Sequence, residues 1–220
     1  MRKRAREIDL MVITDRAKTR GRPLADVVAS AIDGGARWFQ LREKDMAVGK
    51  LTALAEELRA LTAERGAHLI INDRADVALA VGADGVHLPA RGLPPAVARR
   101  IVGEGMLVGV STHSLAEARQ AAEAGADYIF FGPLFYTPSK AAYGPPVGLE
   151  ALQEVAAAAA LGTSVPVIGL GGVKPGNVAE VLAHGARGVA LISAVIASDD
   201  PAEAARGILS EMTEAAPARP

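Results

Sequence analysis

The chain has 220 residues, 50% of them hydrophobic and 22% charged, with a formal net charge of -1 and no cysteine. A chain of this length buries about 70% of its extended surface, enough for one substantial core, and its hydrophobic content excludes intrinsic disorder. The near-neutral charge gives no basis for a nucleic-acid or anionic-membrane partner, 4% aromatics argue against a base-stacking platform, and the lack of cysteine excludes disulfides, a thiolate metal site and a cysteine nucleophile.

The chain opens with MRKRAREIDLMVITDR, whose basic start is like that of a signal peptide. The apolar stretch that follows, Leu10 to Ile13, is far too short for a signal core, and Asp15 ends it. No apolar run approaches the ~18 residues of a membrane helix, so no membrane partner and a cytoplasmic location are expected. Residues 1–7 and 215–220 are expected to fray.

A recurring junction then organises the chain. Gly-Ala pairs beginning at Gly35, Gly66, Gly82, Gly125 and Gly185 each follow an alanine-rich, helix-period segment and precede a short apolar run. Glycine just past a helix end supplies the left-handed cap, and a short run apolar on both faces reads as a strand of a parallel sheet. Eight strands are predicted: Leu10–Thr14, Trp38–Arg42, His68–Asn72, Gly85–Leu88, Leu107–Ser111, Tyr128–Gly132, Val165–Gly169 and Gly188–Ser193. Helical patterns lie between them, and Pro201 to Met212 forms a last helix. This is the arithmetic of a single (β/α)8 TIM barrel spanning residues 1–220. A doubly wound open sheet is the competing α/β arrangement, but the glycine fingerprint it would carry after its first strand is absent.

Barrel enzymes act at the C-terminal ends of their strands, so the strand positions become a list of candidates. After the seventh strand, GLGGVKPGN brings Gly171 and Gly172, and a helix beginning near Pro175 is expected to aim its positive end at a ligand. Ser193 and Ala194 after the eighth strand complete a candidate phosphate cradle; a plain tight turn is the alternative. In QLREK, period-2 alternation points Gln40 and Arg42 into the mouth together, with Lys44 beyond. That combination suits an anionic ligand, the competing account being an internal ion pair of Arg42 with Glu43 or Asp73. Asn72 ends the third strand, and Asp73 after it is either a Mg²⁺ ligand or the N-cap of the helix ADVALAV. Thr137, Ser139 and Lys140 lie in the loop FYTPSKAAYGPP, which closes over a phosphate or is ordinary surface. His113, just past Ser111, is an acid/base candidate, whereas His87, His68 and His184 read as structural.

Taken together and in order, VITDR, QLREK, LIINDRADVALAVGADGVHL, GVSTHS, ADYIFFGPLFYTPSK, PVIGLGGV and GVALISAV resemble the thiamine phosphate synthase family, over roughly residues 10–209. The resemblance implies a (β/α)8 barrel acting on small phosphorylated heterocycles. One family activity couples a hydroxymethylpyrimidine pyrophosphate to a thiazole phosphate with loss of pyrophosphate. A paralogous activity, the thiazole tautomerase, aromatises a carboxylated thiazole phosphate; a non-catalytic binder is a third option. Also implied are pyrimidine and pyrophosphate contacts from Gln40, Arg42, Lys44, Asn72 and Ser111, a Mg²⁺ ligand in Asp73, a phosphate-reaching loop in Thr137, Ser139 and Lys140, and a thiazole phosphate cradle from Gly172 and Ser193. One departure stands out. Where the family usually places a second metal-binding Asp, this chain reads Leu88-Pro89-Ala90-Arg91-Gly92, with Gly92 in place of the carboxylate. Synthase chemistry is the expectation, with a weakened Mg²⁺ site; a homo-oligomer is left open. A Schiff-base aldolase is disfavoured because DYIFFG carries no lysine.

Overall fold

All eight predicted strands form, and they close on themselves. The computed structural model describes residues 5–137, 144–162 and 165–215. Strands β1 (Leu10–Ile13), β2 (Trp38–Leu41), β3 (His68–Asn72), β4 (Gly85–Leu88), β5 (Leu107–Thr112), β6 (Tyr128–Phe131), β7 (Val167–Leu170) and β8 (Gly188–Leu191) pair in parallel in chain order, and β8 returns to β1. Helices α1 (Leu24–Asp33), α2 (Val48–Glu64), α3 (Ala75–Val81), α4 (Pro95–Val102), α5 (Leu115–Glu123), α6 (Gly148–Leu161), α7 (Val178–Ala183), the short α8 (Ser193–Ile196) and α9 (Pro201–Ala215) surround it. The molecule is a (β/α)8 barrel.

Most differences from expectation lie at element ends. The seventh strand begins at Val167 rather than Val165, and the eighth ends at Leu191, so Ser193 opens α8 instead of closing a strand. Helix α7 begins at Val178, not near Pro175. Nor does the expected fraying of residues 1–7 extend to Ala5: Ala5 and Ile8 are fully buried. They join Met11, Trp38, Leu107 and Tyr128 in the cluster that fills the barrel interior. Residues 216–220 of the tail lie outside the described residues.

Alternation explains why the strands are apolar on both faces. Met11, Ile13, Trp38, Ile70, Leu107, Tyr128, Phe130, Ile168 and Ala190 point inward. Their neighbours Leu10, Val12, Phe39, Leu41, Leu69 and Ile71 pack outward against the helices. Gly109 on β5 faces the interior, where a Cβ would overlap the Tyr128 ring, so that glycine lets Tyr128 lie across the barrel.

The Gly-Ala junctions are one motif repeated. Each glycine has positive φ and donates its N–H three residues back, to Ile32, Ala63, Leu79, Ala122 or Leu182. Each following alanine donates five residues back, to Ala31, Thr62, Ala78, Ala121 or Val181. This pair of bonds closes the last helical turn and needs the left-handed conformation, as at Gly82 with φ 62°. Next in line stand two acids at the N-terminal, lower end of the barrel. Asp84 accepts the Leu69 N–H at 2.9 Å and pairs with Arg59 and His68. Asp127 accepts the Val108 N–H at 2.9 Å and pairs with Arg99. At these two junctions the acid staples β4 to β3 and β6 to β5.

Candidate active site

At the upper ends of the strands the inward positions turn polar. Gln40, Asn72, His87 and Ser111 follow the apolar layers on β2, β3, β4 and β5. Gln40 is 1% exposed, and its Nε2 has no hydrogen-bond partner among the described residues. Asn72 is half-buried at the end of β3, and its side chain makes no hydrogen bond among the described residues. His87 is 1% exposed: its Nδ1 lies 3.1 Å from Tyr128 Oη and its Nε2 2.8 Å from Ser111 Oγ, while its ring packs against Phe130 with centroids 4.1 Å apart. Burial, reinforced by the charge of Arg42, pushes the His87 imidazole down to about 3, so the ring is neutral. Burial pushes the Tyr128 hydroxyl up, so it keeps its proton. His87 is a hydrogen-bonded interior residue, as expected.

The loops after β1 and β2 are locked together around Glu43. Its carboxylate, 6% exposed, accepts from Thr14 Oγ1 at 2.7 Å, from the Arg16 N–H at 3.1 Å and from the Arg16 guanidinium at 3.0 Å. Arg16 extends the network to Asp45, which holds the guanidinium well above and the Asp45 carboxyl below their ordinary ranges. Thr14 Oγ1 in turn accepts the Arg42 N–H at 2.9 Å. Glu43 therefore pairs with Arg16, not with Arg42. The half-buried Arg42 guanidinium makes no ion pair among the described residues, and its field reaches His87 across the mouth. Internal pairing with Glu43 or Asp73 is not its role.

Lys44, Asn72 and Asp73 line one cavity of about 310 Å³ with Glu43, Arg74 and Pro89. Asp73 does not cap α3: Arg74 holds the cap position, and its guanidinium makes no capping bond to a helix amide but pairs with Asp76 in the first turn. Instead Asp73 sits in the left-handed region at φ 66°, with its N–H on the His87 carbonyl at 2.8 Å. Outside glycine that conformation carries strain, and Asp tolerates it better than most residues. The exposed Asp73 carboxylate forms no ion pair among the described residues. Gly92 stands beside it: a Cβ there would lie 3.2 Å from Asp73 Oδ1 and 2.9 Å from Pro89 Cδ. A single carboxylate at the mouth suits a hard divalent cation that takes its other ligands from water and substrate oxygens, as Mg²⁺ commonly does. Among the described residues, no three acidic, His or Cys side chains gather as a fuller metal cluster. A groove of about 360 Å³ between α5 and α6, lined by alanines and by Leu115, Ile129 and Val155 among others, lies on the outer layer away from these groups.

The glycine loop after β7 is shaped by a neighbouring loop. Gly171 (φ 90°) and Gly172 (φ 74°) lie under the segment after β6; a Cβ on them would come within 2.5 Å of Pro133 and 2.6 Å of Phe135. Asn177 braces the turn, accepting the Lys174 N–H at 2.9 Å and donating to the Gly172 carbonyl at 3.1 Å. The expected helix field is absent here. The amides of Gly176 and Ala179 at the start of α7 donate to Glu211 of α9, at 2.9 and 3.1 Å, so that positive end is already occupied. Gly171 and Gly172 follow β7, and Ser193 and Ala194 open α8 after the neighbouring strand β8.

Thr137 is half-buried, and its Oγ1 has no partner among the described residues. Ser139 and Lys140 lie outside the described residues. His113 is exposed at the rim beyond β5. Its Nδ1 donates to the Gly132 carbonyl, and its N–H donates to Glu117 Oε2 at 2.7 Å. Sequence reasoning missed Thr14, Arg16 and Asp45 as supports of the Arg42 loop, Tyr128 as the partner of His87, and Asn177 and Glu211 as supports of the glycine loop. Only the first group left a signal, since VITDR and QLREK both end strands that are neighbours in a barrel.

Comparison with known proteins converges on one family. A family model described as thiamine monophosphate synthase matches residues 10–195. A protein of Geobacter sulfurreducens is 52% identical over 204 residues, covering 93% of this chain and 94% of that one. The thiamine-phosphate synthase of Moorella thermoacetica is 44% identical over 207 residues, covering 94% and 97%. Among solved structures, thiamine phosphate pyrophosphorylase from Pyrococcus furiosus superposes with a TM-score of 0.86 at 35% identity, covering 96% of this chain and 98% of that one. With its barrel, its polar mouth and these relatives, the chain belongs to the thiamine monophosphate synthase family.

Proposed function

We propose that the protein is a thiamine-phosphate synthase, joining hydroxymethylpyrimidine pyrophosphate to thiazole phosphate and releasing pyrophosphate. The observation that carries this reading is a buried donor without a partner among the described residues, Gln40 Nε2, two residues before the half-buried Arg42 at the end of β2, with Asp73 following the neighbouring strand β3. Donors held without partners in a site closed below suit an anion whose charge grows as a bond breaks. Arg42 and Lys44 then stabilise the departing pyrophosphate, and Asn72 and Ser111 orient it. Lys140 is assigned the same role from the loop after β6. Mg²⁺, where bound, would be held by Asp73 and would neutralise the pyrophosphate oxygens. The carbon released is a pyrimidine methylene cation, which the thiazole nitrogen captures. No protein nucleophile is required, in keeping with a chain that has no cysteine. Gln40 takes the pyrimidine, Thr137 and Ser139 close on phosphate, and the Gly171, Gly172, Ser193 and Ala194 backbone takes the thiazole phosphate.

Gly92 favours one second reading, the thiazole tautomerase, because that reaction needs no second metal carboxylate. His113 would then move the proton. A chelator titration separates the two. Thiamine phosphate formed from both substrates, and abolished by excess chelator, is the expected result. Full isomerisation of the carboxylated thiazole phosphate in excess chelator, with no thiamine phosphate at any Mg²⁺ concentration, would overturn the proposal.

A further inference from the structure

Three groups in the upper barrel share three protons and two hydrogen bonds. Tyr128, a neutral His87 and Ser111 each carry one transferable hydrogen, and the only contacts among them are Tyr128 Oη to His87 Nδ1 at 3.1 Å and His87 Nε2 to Ser111 Oγ at 2.8 Å. One proton is therefore left without an acceptor among the described residues. If the chain of bonds ran from Ser111 through His87 to Tyr128, the orphan would be the Tyr128 proton. Tyr128 is 0% exposed, wedged between His87, Phe130 and Gly109, so that proton would bear the full desolvation penalty. If the bonds ran the other way, the orphan would be the Ser111 proton, which sits half-buried at the mouth where a ligand can accept it. A doubly protonated His87 would place a buried charge facing Arg42 and orphan two protons.

We propose that Tyr128 and His87 are positioning residues that fix Ser111 as an obligatory donor toward the ligand. Tyr128 donates to Nδ1, the ring is the Nε2–H tautomer, and Nε2 donates to Ser111 Oγ, leaving the serine O–H free to point into the mouth. With Gln40 Nε2 and Arg42 at the inward positions that end β2, the barrel mouth offers donors, and it accepts a lone pair: an oxygen of a phosphate ester or an unprotonated ring nitrogen. It rejects a group that must itself donate there. The effect on turnover rests on the proposed function; the tautomer does not.

The test has two arms. In the first, protein labelled with ¹⁵N at histidine gives long-range proton–nitrogen spectra, with His87 assigned by its loss in His87→Gln. The expected result is a protonated Nε2 and a bare Nδ1, moving toward a tautomer mixture in Tyr128→Phe. A protonated Nδ1 in the unmodified protein, or no change in Tyr128→Phe, would overturn the proposal. In the second arm, steady-state kinetics compare variants whose thermal midpoints match the parent. His87→Leu and Ser111→Ala should each lower kcat about tenfold, the scale of one lost hydrogen bond, with little change in KM. The two should not add when combined, and His87→Gln, which keeps an N–H toward Ser111, should restore most of the rate. Additive losses, or a His87→Gln variant no better than His87→Leu, would overturn it. Varying the pyrophosphate-bearing substrate against inorganic pyrophosphate as inhibitor tells the two ligand sources apart: an inhibition constant that rises in Ser111→Ala assigns the donor to a phosphate oxygen, and an unchanged one assigns it to the ring. If the spectra behave as expected and the unmodified protein makes no thiamine phosphate, it is the proposed function that fails.

Discussion

The two ends of the barrel differ in how many polar groups they leave without partners. At the lower end, each buried acid is satisfied by a strand amide and an arginine, Asp84 by Leu69 and Arg59, Asp127 by Val108 and Arg99. At the upper end Glu43 is satisfied likewise, by the Arg16 amide and guanidinium, but among the described residues Gln40 Nε2 and Thr137 Oγ1 have no partners, Arg42 has no counter-ion, and Asp73 holds a strained backbone. Buried polar groups are normally paired, and the exceptions concentrate where a ligand supplies the missing bond. The lower end is thus built for stability and the upper end for binding, and each side chain's effect on mutation should follow the end it belongs to.

The largest effect is expected below. Asp127→Ala removes a buried ion pair and leaves the Val108 amide unpaired, so chemical denaturation should show a loss of about 3 kcal/mol. The kinetic constants of the folded fraction should stay unchanged; a large change in KM would break the contrast between the two ends. Next comes Arg42→Ala, which should weaken pyrophosphate binding by about 1.5–3 kcal/mol in calorimetry while stability changes little. Unaltered affinity would return Arg42 to a structural role. Gly92→Asp is expected to lower the Mg²⁺ requirement about tenfold, since a second carboxylate would stand beside Asp73. The backbone at Gly92 is not left-handed, so the cost lies in displacing the Pro89 ring, and a midpoint drop equivalent to about 1 kcal/mol should accompany the gain. The smallest effect has the opposite sign. Gln40→Met exchanges an unsatisfied buried amide for an apolar chain of similar length and should stabilise the protein by about 1 kcal/mol while weakening substrate binding. A destabilised, fully active Gln40→Met would show that the amide serves the fold.

Periodicity in the sequence reached some of this and not the rest. Alternation along QLREK places Gln40 and Arg42 on one inner face, and the Gly-Ala junctions mark the five left-handed helix ends, because both signals are local. The partner of Glu43 was not legible. Arg16 and Arg42 are both near a strand end, and only the closed barrel, which sets β1 against β2 with Ile13 opposite Gln40, selects Arg16. The left-handed Asp73 lacks the glycine that would have announced it. Glu211 reaches the start of α7 from 32 residues beyond Ala179, a separation at which no sequence period survives. The expectation of a helix field at the phosphate loop failed there for that reason: a carboxylate from elsewhere in the chain had already taken the amides.

The arm that brings Ala5 and Ile8 beneath the strands also governs how molecules come and go. With its lower end filled, the barrel is a cup rather than a tube. In a reaction of two substrates and two products, all four must then share one rim. Whatever settles first against Gln40 and Ser111 lies beneath the second arrival and cannot leave before it. A cup of this kind enforces a sequence of entry and exit, and the imprint is kinetic: the last product to leave should compete with the first substrate to enter, and the first product to leave should compete with neither.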